Sequence, residues 1–166
     1  MKKNLITKCK SIKLIITDVD GVLTDGGMYY SEKGESFKKF NTRDGMGVQL
    51  LRNYKIPVVI ITGENSKIVL KRAKKLLIKD VFIGINKKEL LLSKICKKYQ
   101  INENNIGYIG DDINDLEILK RAGFSACPMD GISIIKENTD YVCKAKGGEG
   151  VLREIADMII FYQKVK

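Results

Sequence analysis

Asp18 and Asp20 stand one residue apart at the end of an apolar run, residues 12–17, and this placement constrains the chain more than any other feature. Residues i and i+2 of a strand point to one side, so both carboxylates can face a common substrate while Val19 packs behind them. Gly21 then allows a sharp turn. Two close carboxylates repel unless a cation lies between them, and their hard oxygens suit Mg²⁺ better than a softer metal. Paired acids in a turn also occur as helix caps and in calcium loops, so the pair does not fix the chemistry by itself.

Three further segments carry parts that phosphoryl transfer would need. Residues 58–66 read as a β-branched strand followed by Thr62, Gly63 and a helical start, which offers a hydroxyl and backbone N–H groups to an anion. A plain strand-to-helix turn capped by Thr62 or Ser66 would look the same. Lys88 sits near the start of an amphipathic stretch, although most lysines are solvated surface residues. Within residues 108–119 another apolar strand ends in Gly110, followed by Asp111, Asp112 and Asp115 at the opening of a helix. Helix capping accounts for one acid at such a place, hardly for three.

Taken in order, Asp18-x-Asp20, Thr62-Gly63, Lys88 and Gly110-Asp111-Asp112-x-Asn114-Asp115 resemble the four motifs of the haloacid dehalogenase (HAD) superfamily of phosphohydrolases. Residues 18–27, the FNTRDGMG of residues 40–47 and the GGEGVLREI of residues 147–155 more narrowly resemble the capless 3-deoxy-D-manno-octulosonate 8-phosphate (KDO 8-P) phosphatases and their relatives acting on nine-carbon 2-keto-3-deoxynononate or acylneuraminate 9-phosphates. The resemblance runs from about residue 12 to residue 160.

The rest of the composition narrows the alternatives. A chain of 166 residues with 44% hydrophobic content suits a single domain, residues 1–166. The four cysteines show no C-x-x-C spacing, which argues against a zinc ribbon or redox pair and for reduced thiols in a cytoplasmic protein. The basic N-terminal residues lack the apolar core of a secretory signal, and no stretch has the length of a membrane span. With no histidine, Ser-His and Cys-His nucleophiles and histidine metal sites are excluded. The net charge of +10 comes from dispersed lysines, so it reads as solvated helix faces and a field that favours an anionic substrate, not as a nucleic-acid surface.

Alternating β-rich and helical segments predict an α/β fold: a Rossmann-like parallel sheet with helices on both faces. Strands are expected near 13–18, 57–61, 80–83, 106–110 and 124–127, and helices near 43–54, 66–77, 87–99, 113–121 and 149–163. Residues 27–41 read as a projecting β-hairpin around a Lys33-Gly34 turn, and residues 144–166 as a C-terminal tail. The intervals 21–61 and 63–87 are too short for a separate cap domain. The resemblance implies that hairpins assemble a homotetramer in which neighbouring subunits close each site. Tyr29, Tyr30 and Phe37 are then candidate interface aromatics, unless they pack inside their own subunit. It also implies that the glycine-rich tail closes over a neighbouring site; Gly147, Gly148 and Gly150 could instead turn the chain into the last helix.

By the same resemblance Asp18 is the nucleophile that forms an aspartyl phosphate and Asp20 the acid and base. Mg²⁺ would be held by the Asp18 carboxylate, the Asp20 carbonyl and Asp111. Thr62, Gly63 and Lys88 would hold the phosphoryl group, with Asp112 and Asp115 supporting the metal site and Lys88. Glu64 occupies a place where the octulosonate phosphatases usually carry arginine, and Glu64 with Lys75 resembles the nine-carbon enzymes more closely. Arginine can grip a substrate carboxylate bidentately, whereas glutamate repels it and accepts hydrogen bonds, unless Glu64 only caps the next helix. The expected substrate is thus a 2-keto-3-deoxy sugar acid phosphate of open chain length. Two other readings stand beside it: a phosphatase of another small metabolite, and a non-catalytic assembly module like that fused to acylneuraminate cytidylyltransferases.

Overall fold

The computed structural model describes residues 2–165. Six parallel strands form one sheet in the order β5-β4-β1-β6-β7-β8. They are β1 (Leu14–Thr17), β4 (Val58–Ile61), β5 (Asp80–Phe82), β6 (Ile106–Ile109), β7 (Phe124–Cys127) and the short β8 (Tyr141–Val142). A separate antiparallel pair, β2 (Tyr29–Ser31) and β3 (Gly34–Phe37), makes the hairpin.

Every residue of β1, β4, β6 and β7 is buried, as expected of a sheet covered on both faces. Alternate side chains serve different layers. Ile15, Val58, Ile60, Ile109 and Phe124 pack on one face with residues of α2 (Thr42–Asn53), α3 (Lys67–Lys75) and α7 (Val151–Lys164). Leu14, Ile16, Val59, Ile61, Ile106 and Tyr108 face the other layer, with Leu92 and Ile95 of α4 (Leu92–Tyr99), Ile118 and Leu119 of α5 (Leu116–Arg121) and Ile135 of α6 (Ser133–Glu137). Truncating one of these aliphatics to alanine would cost about 2–5 kcal/mol.

Several elements differ from the sequence-based expectation. Helix α1 (Lys2–Ser11), strand β8 and helix α6 were not expected. Cys9 and Ile12 sink α1 and its exit into the first core layer, and Gln163 of α7 donates to the carbonyls of Cys9 and Ile12. The helices expected to start at 87 and 113 begin as 3-10 turns, Lys88–Leu91 and Ile113–Asp115. The hairpin is shorter than 27–41, with its turn at Glu32 and Lys33 and Gly34 already in β3; a bridge between Thr24 and Phe40 closes its base.

The glycine-rich start of the tail packs on its own subunit. Gly148 N–H donates to the Val22 carbonyl at 3.0 Å, and a side chain at Gly147 would collide with the Gly21 carbonyl. Helix α7 then buries Val151, Leu152, Ile155, Ala156, Ile159 and Ile160, chiefly against α2. Gly150 precedes it in the left-handed region and offers no capping side chain. Asp44 of α2 does so instead, accepting the Arg153 N–H at 3.2 Å. Burial pushes the Asp44 carboxyl up to about 6, against the backbone N–H groups that favour its charge.

Candidate active site

Strand β1 has β4 on one side and β6 on the other, and the chain crosses from one flank to the other between β5 and β6. Crevices form at such a switch point beyond the carboxyl ends of the strands. Asp18 follows β1, Thr62 follows β4 and Asp111 lies just past β6, so the switch point gathers all three. Asp18 N–H donates to the Ile109 carbonyl at 2.9 Å, which fixes the acid between β1 and β6. Beyond it, the Val19 carbonyl accepts the N–H groups of Val22, Leu23 and Thr24 and folds Asp20 back over the strand end. Gly21, at φ +82°, leaves room for the Asp111 carboxylate that any side chain there would strike.

The carboxylates divide into saturated and unsaturated ones. Asp115 is fully buried and accepts at both oxygens: Oδ1 from Lys88 Nζ at 2.6 Å and from the Tyr108 hydroxyl, Oδ2 from the Asp111 N–H at 2.9 Å. Asp18 takes Lys88 Nζ on Oδ2 at 2.9 Å, but its Oδ1 is buried without a partner. Asp111 Oδ1 and Asp20 Oδ2 are orphaned in the same way. One oxygen each from Asp18, Asp111 and Asp115 lies within 4.8 Å of the others. Because Asp115 is already saturated, the open positions for a cation belong to Asp18 and Asp111. All-oxygen donors of this charge fit a hard divalent ion such as Mg²⁺.

Electrostatics agree with the geometry. Burial, then the charge of Asp115, raises Asp18 to about 7 despite Lys88. Burial and the charges of Asp18, Asp115 and Asp112 raise Asp111 to about 8. Burial alone would lower Lys88, yet the facing Asp18 and Asp115 outweigh it and hold the ammonium above its usual range. A divalent ion would reverse the balance for both acids.

Thr62 is buried, and its hydroxyl oxygen accepts the Glu64 N–H at 3.2 Å, which leaves the hydroxyl proton to donate. A cleft of about 160 Å³ opens here, lined by Asp18, Asp20, Thr62, Gly63, Glu64, Asp111, Asp112 and Asn114. Asp112 does not reach Lys88; it caps the 3-10 turn through the Ile113 N–H at 2.6 Å, so of the two acids expected to support Lys88 only Asp115 touches it. Lys75 is exposed at the last turn of α3 and does not line the cleft of its own subunit. A roomier hollow of about 300 Å³ lies at the other end of the sheet, between Val48, Pro57, Leu77 and Tyr99, away from the carboxylates.

Asn114, inside the fourth motif quoted from the sequence, lines the cleft. The contacts of two further residues escape a sequence reading. Ser66 reads as a cap but bonds the hairpin's Glu35. Lys38 is one lysine among many, yet its side chain is 1% exposed and lies 2.6 Å from Asp20 Oδ1 and 2.7 Å from Glu35 Oε1. The spacing of Glu35 and Lys38, three apart next to a hairpin strand, was the available signal.

Residues 83–155 match the haloacid dehalogenase-like hydrolase family. The chain is 36% identical over 160 residues to the 3-deoxy-D-manno-octulosonate 8-phosphate phosphatase of Escherichia coli K12, covering 96% of this chain and 85% of that protein. It belongs to that phosphatase family. The Haemophilus influenzae member is 39% identical over 153 residues, covering 92% and 85%. A Moraxella catarrhalis member, solved with magnesium, phosphate and KDO, superposes with a TM-score of 0.95 at 36% identity over 99% of this chain and 94% of that one. A cobalt-bound H. influenzae structure gives a TM-score of 0.92 at 38% identity, covering 95% and 92%. Metal-bound members of the family thus share the backbone frame that here carries the orphaned oxygens of Asp18 and Asp111.

Proposed function

We propose that this chain is a Mg²⁺-dependent phosphatase that hydrolyses the phosphate monoester of a 2-keto-3-deoxy sugar acid through an aspartyl phosphate on Asp18. The observation that carries the reading is the pair of orphaned buried oxygens, Asp18 Oδ1 and Asp111 Oδ1, beside a fully buried lysine. A bound Mg²⁺, held by Asp18, Asp111 and the Asp20 carbonyl, would offset the repulsion between an anionic nucleophile and an anionic phosphate. Asp18 attacks phosphorus in line while Lys88 and the Thr62 hydroxyl hold phosphoryl oxygens as charge spreads. Asp20 Oδ2 gives a proton to the departing sugar oxygen and later takes one from the attacking water. Asp115 keeps Lys88 aimed at Asp18.

A cleft of about 160 Å³ is small against the roughly 300–1,000 Å³ of sites that enclose a whole small molecule. It suits the phosphoryl group, and the sugar acid extends outward. A homotetramer would cover that outer part. The exposed Met28, Tyr30 and Phe37 of the hairpin support such an interface, whereas Tyr29 stacks on Phe37 of its own subunit at 4.6 Å. Among the described residues no helix is long and apolar enough to cross a membrane. The free thiols of Cys9, Cys96, Cys127 and Cys143 fit a reducing cytoplasm.

Octulosonate 8-phosphate is the substrate named for the relatives. Glu64 on the cleft wall favours a second reading, a nine-carbon acid 9-phosphate. Phosphate release from both compounds with Mg²⁺, with Asp18→Asn as the blank, tests both. Glu64→Arg is expected to move relative kcat/KM toward the eight-carbon compound by about tenfold or more. An unchanged ratio removes Glu64 from substrate choice. If neither compound turns over above the blank in a folded protein, the assembly-module reading replaces the enzymatic one.

A further inference from the structure

The hairpin reaches the catalytic acid through one chain of part-buried contacts. Lys38, at the exit of β3, places Nζ 2.6 Å from Asp20 Oδ1 and 2.7 Å from Glu35 Oε1. Glu35 Oε2 accepts the hydroxyl of Ser66, which immediately precedes α3. The Thr24 hydroxyl lies 3.3 Å from the same Asp20 oxygen. Asp20 Oδ1 is therefore surrounded by donors, while Oδ2 is buried with no partner.

Desolvating a lysine is costly unless each nearby group answers a need, and here two carboxylates share one ammonium. An oxygen that accepts from an ammonium cannot also present its own O–H along that line, so a proton on this carboxyl belongs on the other oxygen. We propose that Lys38 is a positioning residue for proton donation: by occupying Oδ1 of Asp20 it makes Oδ2 the proton-bearing oxygen and holds it toward the substrate.

The inference rests on the phosphatase reading above. As the bond from Asp18 to phosphorus forms and the phosphorus–sugar oxygen bond breaks, the Oδ2 proton passes to the departing alkoxide, and Asp20 is left as a carboxylate facing Lys38. Glu35 and Ser66 fix the direction of the ammonium by tying β3 to the start of α3. The hairpin thus orients the acid of its own subunit, whatever else it contacts.

The test compares leaving groups. A sugar alkoxide needs a proton to depart, whereas p-nitrophenolate does not. Lys38→Met is expected to lower kcat on the sugar acid phosphate by about 100-fold with KM little changed, while the p-nitrophenolate burst rate falls by less than about threefold. Glu35→Gln, milder and easier to fold, is expected to show the same asymmetry at about fivefold to tenfold. Equal losses on both leaving groups, or a loss confined to KM, would reduce Lys38 to a fastener of the hairpin and overturn the proposal. Wild-type protein runs alongside. If it cleaves other aliphatic phosphate monoesters but not the sugar acid phosphates, the substrate assignment fails, and the same comparison on the ester it does cleave still decides the role of Lys38.

Discussion

The two ends of the sheet treat a carboxylate sheltered from solvent in opposite ways. At the amino end, Asp80 opens β5 with Oδ1 paired to Lys98 Nζ and Oδ2 taking the Tyr99 hydroxyl. Partial burial pushes that carboxyl upward, but these bonds and the lysine charges hold it below the usual range. At the carboxyl end, Asp18 and Asp111 keep orphaned oxygens and are raised to about 7 and about 8. One end is settled for stability. The other keeps acceptor oxygens open to a cation or substrate, which is how a fold stores what a site needs.

The sharpest way to break this contrast is Asp18→Asn. Activity is expected to fall by about 10⁴-fold or more. The metal-free protein at pH 8 should meanwhile gain roughly 2 kcal/mol, because an under-satisfied buried charge is removed while Lys88 keeps Asp115. Phosphate release and urea unfolding measure the two effects, and a loss of stability would contradict the contrast.

A smaller effect follows from pH. Asp18 and Asp111 both rise from an ordinary value of 3.8. Their contribution to stability is therefore fully present below about 3.8 and is lost as pH climbs through 7 and 8. Metal-free protein should show a Tm that drops between about pH 4 and pH 8 and then levels off, and saturating Mg²⁺ should flatten that slope. Titration calorimetry at pH 7 in buffers of different ionisation enthalpy should find on the order of one proton released per ion bound. An equal slope with and without metal would place the ion elsewhere.

The smallest effect belongs to the settled end. Asp80→Asn should cost less than about 1 kcal/mol, since its partners are partly solvated, and should leave kcat within about twofold. A large loss of activity there would dissolve the distinction between the two ends.

The parts of this molecule that were legible in its sequence are those with a single physical cause. Strands β1 and β4 are nearly unbroken aliphatic runs because both faces are covered, and the site acids stand just past the ends of β1 and β6. Helix α1 was missed because its lysines hide the spacing of Leu5, Cys9 and Ile12, of which the latter two are core residues. Strand β8 is two residues long and exists through its pairing with β7. Within the site, Asp18, Thr62, Lys88 and Asp111 were named from motif order. Lys38 and Asp44 were not, because what makes each unusual is a partner distant in sequence: Lys38 is buried against Asp20, and Asp44 caps a helix that begins at residue 151.

The position of β1 has a consequence for the making of the protein. Of the six strands of the sheet it is the first to be translated, yet its two neighbours are β4 and β6. Until β6 has been translated, β1 keeps an aliphatic edge without a partner, the kind of edge that invites pairing with other chains. Asp18 and Asp111 are joined by that same late event, since Asp18 N–H bonds the last residue of β6. Nascent chains therefore pass through the stage of an unpaired β1 edge with the cation site still in two halves, and an ion gripped by both acids can reward only a chain that has already brought its sheet together.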